Sequence, residues 1–390
     1  MTLTVSLVTL GDPGRLTGGY RYHRRMAELA PDCGAAVRFV SFPERPFPLP
    51  TLAGPAVLRQ SRSDVLVLDS IAAAFLGPWL PLHRAAPLVG SLHQPPGGVD
   101  HGPLRQGIQG PMDRLAYRRA RLLVVASQAL GDELAGQGFP PERIRVVPPG
   151  HDLPAAPAGP PPDLRQGRRA SLLCVANWVR HKGLLDLLEA VARLPAGLAT
   201  LHLAGDDRAD PRHGARVRAR LSRPDLAGRV VFHGPLPAER VAALYRAADV
   251  FVLPSLRETY GTVWGEAMAA GLPVVGWRAA NLPHLAEHGR EGLMASPGDV
   301  AGLSAALARL AGDEDLRKRM AVAAGRPGRS RRRCSSPRCA RPLRPVRPPV
   351  RRSRRSPSPS PTPGPRGCRR PPAAAPGPGS GGPSGPAPRR

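Results

Sequence analysis

The chain has 390 residues, enough for two or three domains with ordinary cores, and 42% of them are hydrophobic. Its formal charge of +27 is concentrated at one end, because residues 326–390 hold 18 Arg and no Asp, Glu or Lys, leaving +9 for residues 1–325. The five cysteines, Cys33, Cys174, Cys334, Cys339 and Cys368, form no CxxC pair, which argues against a disulfide framework or a cysteine-ligated zinc, and no run of 18 apolar residues predicts a membrane span.

The first residues, MTLTVSLVTLGDPG, lack a basic leader and reach a turn after ten residues, so they predict a core strand and not a signal peptide. A reducing cytoplasm is the expected compartment. Short apolar runs then alternate with longer amphipathic ones, the pattern of an α/β fold with largely parallel sheets. Strands are predicted at 3–10, 36–41, 65–68, 87–92, 122–126 and 144–147, forming a first domain over residues 1–153. The run PAAPAGPPP holds neither helix nor central strand, and residues 154–162 read as a stiff hinge.

A second series occupies residues 163–325. Its strands are expected at 172–175, 200–204, 230–232, 250–253 and 273–276. Helices over 300–310 and 314–324 follow, the first with Leu303, Ala306, Leu307 and Leu310 on one apolar face. At Gly325 the pattern collapses: residues 326–390 contain 18 Pro and cannot bury enough apolar surface to offset chain entropy, so a disordered Arg/Pro-rich tail is expected. Acidic residues and lysine vanish together in mid-register, which points to an out-of-frame translation.

The most informative stretch is DVFVLPSLRETYGTVWGEAMAAGLPVVG at 249–276, which sets Glu258 and Glu266 eight residues apart at a strand-to-helix junction. A helix is predicted from about Thr262 to Ala270, ended by Gly271. With most of the interval helical, the carboxylates stand roughly 12 Å apart, beyond the roughly 5 to 9.5 Å of hydrolytic pairs. That span suits the two sugars of a nucleotide sugar with a diphosphate between them. Gly261, Thr262 and Val263 supply free N–H groups at the helix start, a natural place for phosphate.

Other candidates lie at strand ends, where two α/β domains facing across a cleft present their ligand groups. Gly18 and Gly19 follow the first strand and precede a helix predicted over Tyr20–Leu29; they are either an anion-holding turn or a plain structural one. His93 in SLHQPPG places an imidazole at a strand end, as a site group or a hydrogen-bonded structural one. Arg180 and Lys182 in VRHKG are cations at a turn, able to clamp phosphate oxygens, although Arg180 alone reads as a solvated turn charge.

Taken in order, Gly18 and Gly19, VVPPGHD at 146–152, HKG at 181–183, FHGPLP at 232–237 and PSLRETYGTVWGEAMAAGLPVV at 254–275 make residues 1 to about 325 resemble the retaining glycosyltransferases of family 4. The resemblance implies the GT-B architecture, two Rossmann-like domains across a cleft, and an E-x7-E motif at Glu258 and Glu266. It implies that Glu258 contacts hydroxyls of the transferred sugar and Glu266 the ribose hydroxyls. Lys182 with the Gly261–Val263 backbone would bind the diphosphate, His233, Gly234 and Leu236 would flank the base, His93 would be the active-site histidine, and Gly19 would border the phosphate and acceptor.

Two departures stand out. An Arg that the family often carries five residues before the KG lysine is Asn177 here, with Arg180 as a spatial substitute, and the tail offers no final helix to cross back onto the first domain.

The resemblance implies same-face transfer with retention, no covalent carboxylate intermediate and no cofactor. Asp206 and Asp207 read as loop decoration, so metal independence is expected. The expected partners are a nucleotide-sugar donor and a glycan, lipid-linked or small-molecule acceptor. Arg21, Arg24, Arg25, Arg114, Arg118, Arg119 and Arg121 make peripheral contact with an inner membrane face a further option. Rival readings are an inactive sugar-nucleotide binder, an epimerase or phosphorylase of the same fold and, through the Arg-rich tail, a nucleic-acid binder. Without aromatic interleaving or an RNA-binding motif, no nucleic acid is expected.

Overall fold

The computed structural model describes residues 2–14, 18–83, 86–99, 102–150, 154, 159 and 161–325. The predicted tail therefore lies outside the described residues, as do most of the predicted hinge and the last two residues of VVPPGHD.

Among the described residues the apolar runs form twelve strands in two sheets. In the first, β1 (Leu3–Leu10), β2 (Ala35–Phe42), β3 (Val65–Asp69), β4 (Leu88–Leu92), β5 (Leu122–Val125) and β6 (Ile144–Val146) lie side by side in the order β2-β1-β3-β4-β5-β6, all parallel. In the second, β7 (Ala170–Val175), β8 (Ala199–Ala204), β9 (Val230–Phe232), β10 (Val250–Val252), β11 (Val274–Trp277) and β12 (Gly292–Ala295) take the order β12-β11-β10-β7-β8-β9, again all parallel. Parallel strands need crossovers and are buried on both faces. This is why β7, β8 and β10 read as near-continuous apolar runs and why Leu172, Leu201 and Phe251 are fully buried.

In both sheets the winding reverses direction once, between β1 and β3 and between β7 and β10. Loops leaving the carboxyl ends of those strands splay apart and open a crevice. The segments after β1, β7 and β10 carry Gly18 and Gly19, Lys182, and Glu258 to Val263, while Asp69 ends β3 and Ser70 follows it.

Each sheet has its own core. Phe42, Phe75 and Tyr117 pack with the aliphatics of β1, β3 and β4, while Trp178, Trp264, Trp277 and Phe251 fill the second. Each such ring removes on the order of 150–250 Å² from water. The helix Val300–Gly312 presents Leu303, Leu307 and Leu310, all fully buried, with Ala306 half-buried beside them. The Ser304 hydroxyl donates to the Ala190 carbonyl at 2.9 Å and docks that helix on Leu184–Ala192. Asp299 and Asp313 cap the helices Val300–Gly312 and Glu314–Ala324 by accepting from Gly302 and Leu316 N–H, each cap worth about 1 kcal/mol.

Three expectations need correction. The strand Gly292–Ala295 has no counterpart in the sequence reading, because GLMA lacks β-branched residues and shows no period. A Cβ on Gly292 would come within 1.9 Å of the Val274 carbonyl oxygen, so glycine is what lets β12 approach β11. Gly18 and Gly19 are the first two residues of the helix Gly18–Leu29 and not a turn ahead of it. Finally, residues 258–261 are not helical, and the helix runs Thr262–Ala269. Only the second half of the Glu258-to-Glu266 interval therefore has helical rise, which removes the premise of the 12 Å span.

Candidate functional site

In the second sheet the site is assembled from the turn after β7 and the loop after β10. Gly183, at φ +71°, ends the Arg180–Lys182 turn, and a Cβ there would come within 2.1 Å of the Pro254 carbonyl oxygen. The glycine thus lets two loops touch. The His181 carbonyl accepts from Leu256 N–H at 2.8 Å and from the Ser255 hydroxyl at 3.1 Å. These bonds set Lys182 Nζ against Glu258 Oε1 in an ion pair whose side chains are 19% and 12% exposed. Arg180 is exposed two residues away. Asn177 spends its side-chain carbonyl on the backbone N–H of Asp206 at 3.1 Å, so it ties loops together.

The loop after β10 ends at Gly261, with φ +78° and ψ +59°. A Cβ at this position would lie 2.3 Å from the Trp264 ring, so only glycine turns the chain into the helix Thr262–Ala269. No side chain caps that helix at Gly261. Its first N–H groups, from Thr262 and Val263, carry the positive end of the helix dipole. The loop is held from beneath by buried Asn281, whose amide donates to the Tyr260 carbonyl at 2.9 Å.

One turn into the helix, half-buried Glu266 accepts from the Tyr245 hydroxyl at 3.1 Å. Tyr245 is 1% exposed. Burial first, then the charge and hydrogen bond of Glu266, push its phenol far above the ordinary range, so it remains a donor. At the other edge, His233 Nε2 meets His202 Nδ1 at 3.0 Å with the rings stacked, and His202 Nε2 reaches the Leu164 carbonyl at 2.7 Å. Gly234 takes φ +69° and accepts from Gly205 N–H at 2.9 Å. Leu236 packs on the core. Asp207 is spent on Arg218 at 2.7 Å, and Asp206 on Arg208 N–H at 2.9 Å. Among the described residues no group of three His, Cys, Asp or Glu has metal-holding geometry.

In the first sheet the carboxyl ends of β1, β3 and β4 converge on a polar chain. Asp69 Oδ2 accepts from the Thr9 hydroxyl at 2.7 Å, and Oδ1 from the Ser70 hydroxyl at 3.2 Å and Ile71 N–H at 3.4 Å. His23 Nδ1 lies 3.5 Å from Asp69 Oδ2. His23 Nε2 faces His93 Nε2 at 3.0 Å and the Ser91 hydroxyl at 3.2 Å. Burial, followed for His93 by the neighbouring His23, pulls both imidazoles down to about 4, so both are neutral near pH 7. Burial raises Asp69. Tyr22 stands edge-on to His93 at 4.8 Å, and a Cβ on Gly19 would sit 3.5 Å from His93 Cδ2, so that glycine starts its helix against the imidazole. Gly18 has no neighbour within 4 Å of the same position among the described residues.

A cavity of about 490 Å³ opens between the two halves, lined on one side by Pro95, Gly98, Gly110, Arg114 and Glu133 and on the other by Leu256, Arg257, Glu258 and Thr259. Of the predicted site residues, Glu258 is the one that lines it among the described residues. Glu133 and Arg257 face each other across it with opposite charge. Ala280, also lining it, adopts φ +52°, a left-handed conformation that non-glycine residues seldom take.

Sequence reasoning missed Asp69, His23 and Tyr245. Asp69 had a signal, a carboxylate closing the apolar run VLVLD. His23 had a weaker one, sharing the inward face of its helix with Tyr20 three residues earlier. Tyr245 had none, since an aromatic on an apolar helix face is ordinarily core.

The described geometry has counterparts. A glycosyl transferase 4-like domain matches residues 2–150, and a domain described as glycosyl transferases group 1 matches residues 169–313. A D-inositol 3-phosphate glycosyltransferase from Corynebacterium jeikeium is 32% identical over 209 residues, 50% of this chain and 50% of that protein. A putative colanic acid biosynthesis glycosyltransferase, WcaL, from Salmonella typhimurium is 30% identical over 210 residues, 49% of this chain and 48% of that protein. The chain thus spans about half the length of these curated relatives. Among solved structures, Anabaena HepE in complex with UDP and glucose superposes with a TM-score of 0.69 at 22% identity, over 83% of this chain and 94% of that one. Sucrose-phosphate synthase from Thermosynechococcus elongatus gives 0.67 at 19% identity, over 83% and 93%. With both domain matches in order along one chain and two six-stranded parallel sheets to carry them, the chain belongs to the family 4 glycosyltransferases of GT-B architecture.

Proposed function

We propose that the chain transfers a sugar from a nucleoside-diphosphate sugar to an acceptor hydroxyl with retention of configuration and without a metal. The observation that carries this reading is the Lys182–Glu258 pair, held at the second sheet's switch point by the same loop that leads into the uncapped helix at Gly261. An ammonium has three donors; Glu258 takes one and orients the rest. The helix N-terminus adds backbone N–H groups and a partial positive charge. Together they form a receptor for a diphosphate, with Glu258 at the cavity where a sugar would sit. The UDP and glucose bound by HepE support the same class of donor here.

In the reaction the bond from the anomeric carbon to the diphosphate oxygen breaks, and a bond to the acceptor oxygen forms on the same face. The acceptor proton passes to the departing diphosphate oxygen. Lys182 and the N–H groups of Thr262 and Val263 stabilise the charge that develops there, a contribution on the order of a hundredfold per donor group. This cationic set supplies the neutralisation that a divalent ion otherwise brings. Glu258 binds sugar hydroxyls, and Glu266, steadied by Tyr245, binds the ribose. His233, Gly234 and Leu236 border the base, with Arg180 near the phosphates. His93 and Gly19 face the transferred group and the acceptor, whether glycan, lipid-linked or small molecule.

The test is a panel of nucleotide sugars incubated with the full chain in excess chelator, with nucleoside diphosphate release and the anomeric configuration of the product followed by NMR. Release and retention are expected, with Glu258→Ala slowing release about a hundredfold or more. Unchanged turnover in Glu258→Ala, a product of inverted configuration, or activity restored only by manganese would each overturn the corresponding part of the reading.

A further inference from the structure

The buried chain from Asp69 through His23 to His93 joins three strand ends and a helix, and the diphosphate and ribose contacts just described make no use of its first two members. The side chain of His23 is fully buried and that of Asp69 is 4% exposed. A buried carboxylate next to two imidazoles is costly unless each proton has one place to go. Here the donors dictate the arrangement. Thr9, Ser70 and Ile71 all give hydrogen bonds to Asp69, which keeps it an acceptor; the His23 nitrogen on its side is Nδ1, 3.5 Å from Oδ2 and buried without a hydrogen-bond partner among the described residues, so the charge of the carboxylate favours a proton on that nitrogen. A proton on Nδ1 leaves Nε2 of a neutral His23 as an acceptor. His93 Nε2, 3.0 Å away, must then carry the proton between them, and His93 Nδ1 is left as a base.

We propose that Asp69 and His23 are positioning residues that lock His93 in its Nε2–H tautomer, so that His93 Nδ1 accepts a hydrogen bond from a hydroxyl of the sugar or the acceptor in the transfer reaction. This rests on the transferase reading for the hydroxyl, and on the geometry alone for the tautomers. The arrangement is the logic by which a buried carboxylate sets one imidazole in hydrolytic triads, extended by a second ring. Which nitrogen carries the proton is decided by the partner of the other nitrogen. Gly19, against His93 Cδ2, and Tyr22, edge-on to the ring, hold the imidazole in plane.

Asp69→Asn tests this without changing shape. Ile71 N–H can only donate, so the new carbonyl oxygen takes the Oδ1 place and the amide NH₂ takes the place facing His23 Nδ1. That turns His23 into its Nε2–H form and His93 into its Nδ1–H form, with no base left toward a substrate. The readout is two-bond ¹H–¹⁵N correlation on histidine-labelled full chain, with the two signals assigned from His23→Gln and His93→Gln. The wild type is expected to show Nδ1–H at His23, the opposite of what free imidazole side chains favour, and Nε2–H at His93. Both should invert in Asp69→Asn, with turnover down about a hundredfold or more and the donor KM little changed.

Nε2–H at His23 in the wild type overturns the proposal, and so do unchanged tautomers in Asp69→Asn. Inverted tautomers with undiminished turnover overturn the role in transfer. If Asp69→Asn does not fold, the wild-type spectrum decides alone, because the relay demands the disfavoured form at His23. A wild type that transfers from no donor ends the transferase reading, while the spectra still decide the relay.

Discussion

Lys182 and Glu258, 76 residues apart in the chain, form a part-buried ion pair at the point where the turn after β7 meets the loop after β10. Two mostly buried charges of opposite sign hold each other in place, and the Leu256 and Ser255 bonds to the His181 carbonyl fix the backbone that carries them. Residues coupled this closely act as a unit. Glu258→Ala is expected to lower turnover about a hundredfold or more, close to 3 kcal/mol in barrier, while nucleoside diphosphate still binds. Lys182→Ala should lower both turnover and diphosphate affinity. The double variant should be little worse than the poorer single one, and initial rates with calorimetric binding check this; strictly additive losses would mean that the pair does not work as one.

Gly261→Ala places a Cβ 2.3 Å from the Trp264 ring on a backbone at φ +78°. The left-handed conformation costs roughly 1 kcal/mol in a residue with a Cβ, and the clash with a fully buried indole adds to it. Denaturant unfolding should show a loss of about 2 kcal/mol or more, together with weaker nucleotide binding because the helix N-terminus shifts. A wild-type midpoint and affinity would show that the position tolerates any small residue.

Tyr245→Phe removes the donor to Glu266 and keeps the ring that packs against Phe251 at 5.7 Å. The hydrogen bond is worth about 1 kcal/mol or somewhat more, since its acceptor is a carboxylate. The expected kinetic signature is a donor KM raised several-fold with kcat nearly constant, because a ribose contact is the same in ground and transition states. A fall in kcat at constant KM would move Glu266 away from the ribose.

Stability should fall as pH is lowered through the range set by His23. Its folded value is about 4 against an ordinary 6.5, with burial as the cause. Between those values the unfolded chain binds a proton that the folded chain refuses, so stability is full above about 6.5 and declines towards about 4, by roughly 3 kcal/mol for this group. His93 is shifted the same way. Asp69, raised by burial, holds its proton better when folded and opposes the trend; the Tyr22 phenol, raised to about 12, does not titrate there. Melting temperature against pH for wild type and His23→Gln checks the sign: the wild-type curve should be the steeper, and parallel curves would assign the slope to other groups.

The local pattern reached far. Eleven of the twelve strands among the described residues were legible within a residue or two, because burial on both faces writes a parallel strand as an uninterrupted apolar run. The strand Gly292–Ala295 was not, because what defines it is the contact of Gly292 with the Val274 carbonyl, a relation between two segments. The site was half legible. Gly261 and Lys182 announced themselves at a strand-to-helix junction and at a cationic turn. The ruler drawn from Glu258 to Glu266 lost its premise because half of the interval is loop, and helical rise applies only to helix.

From composition, period and motif order alone came the fold class, the two-sheet organisation, the family and the candidate glutamates, since apolar runs, glycine turns and helix periods are short-range properties that each segment carries with it. The tertiary structure decided which side chains meet. Lys182 pairs with Glu258, Tyr245 holds Glu266, and Asp69 reaches His93 through His23 because reversed winding brings the ends of β1 and β3, and of β7 and β10, side by side. Residues separated by tens of positions become neighbours only through that pairing of strands, and no spacing within a single segment encodes it.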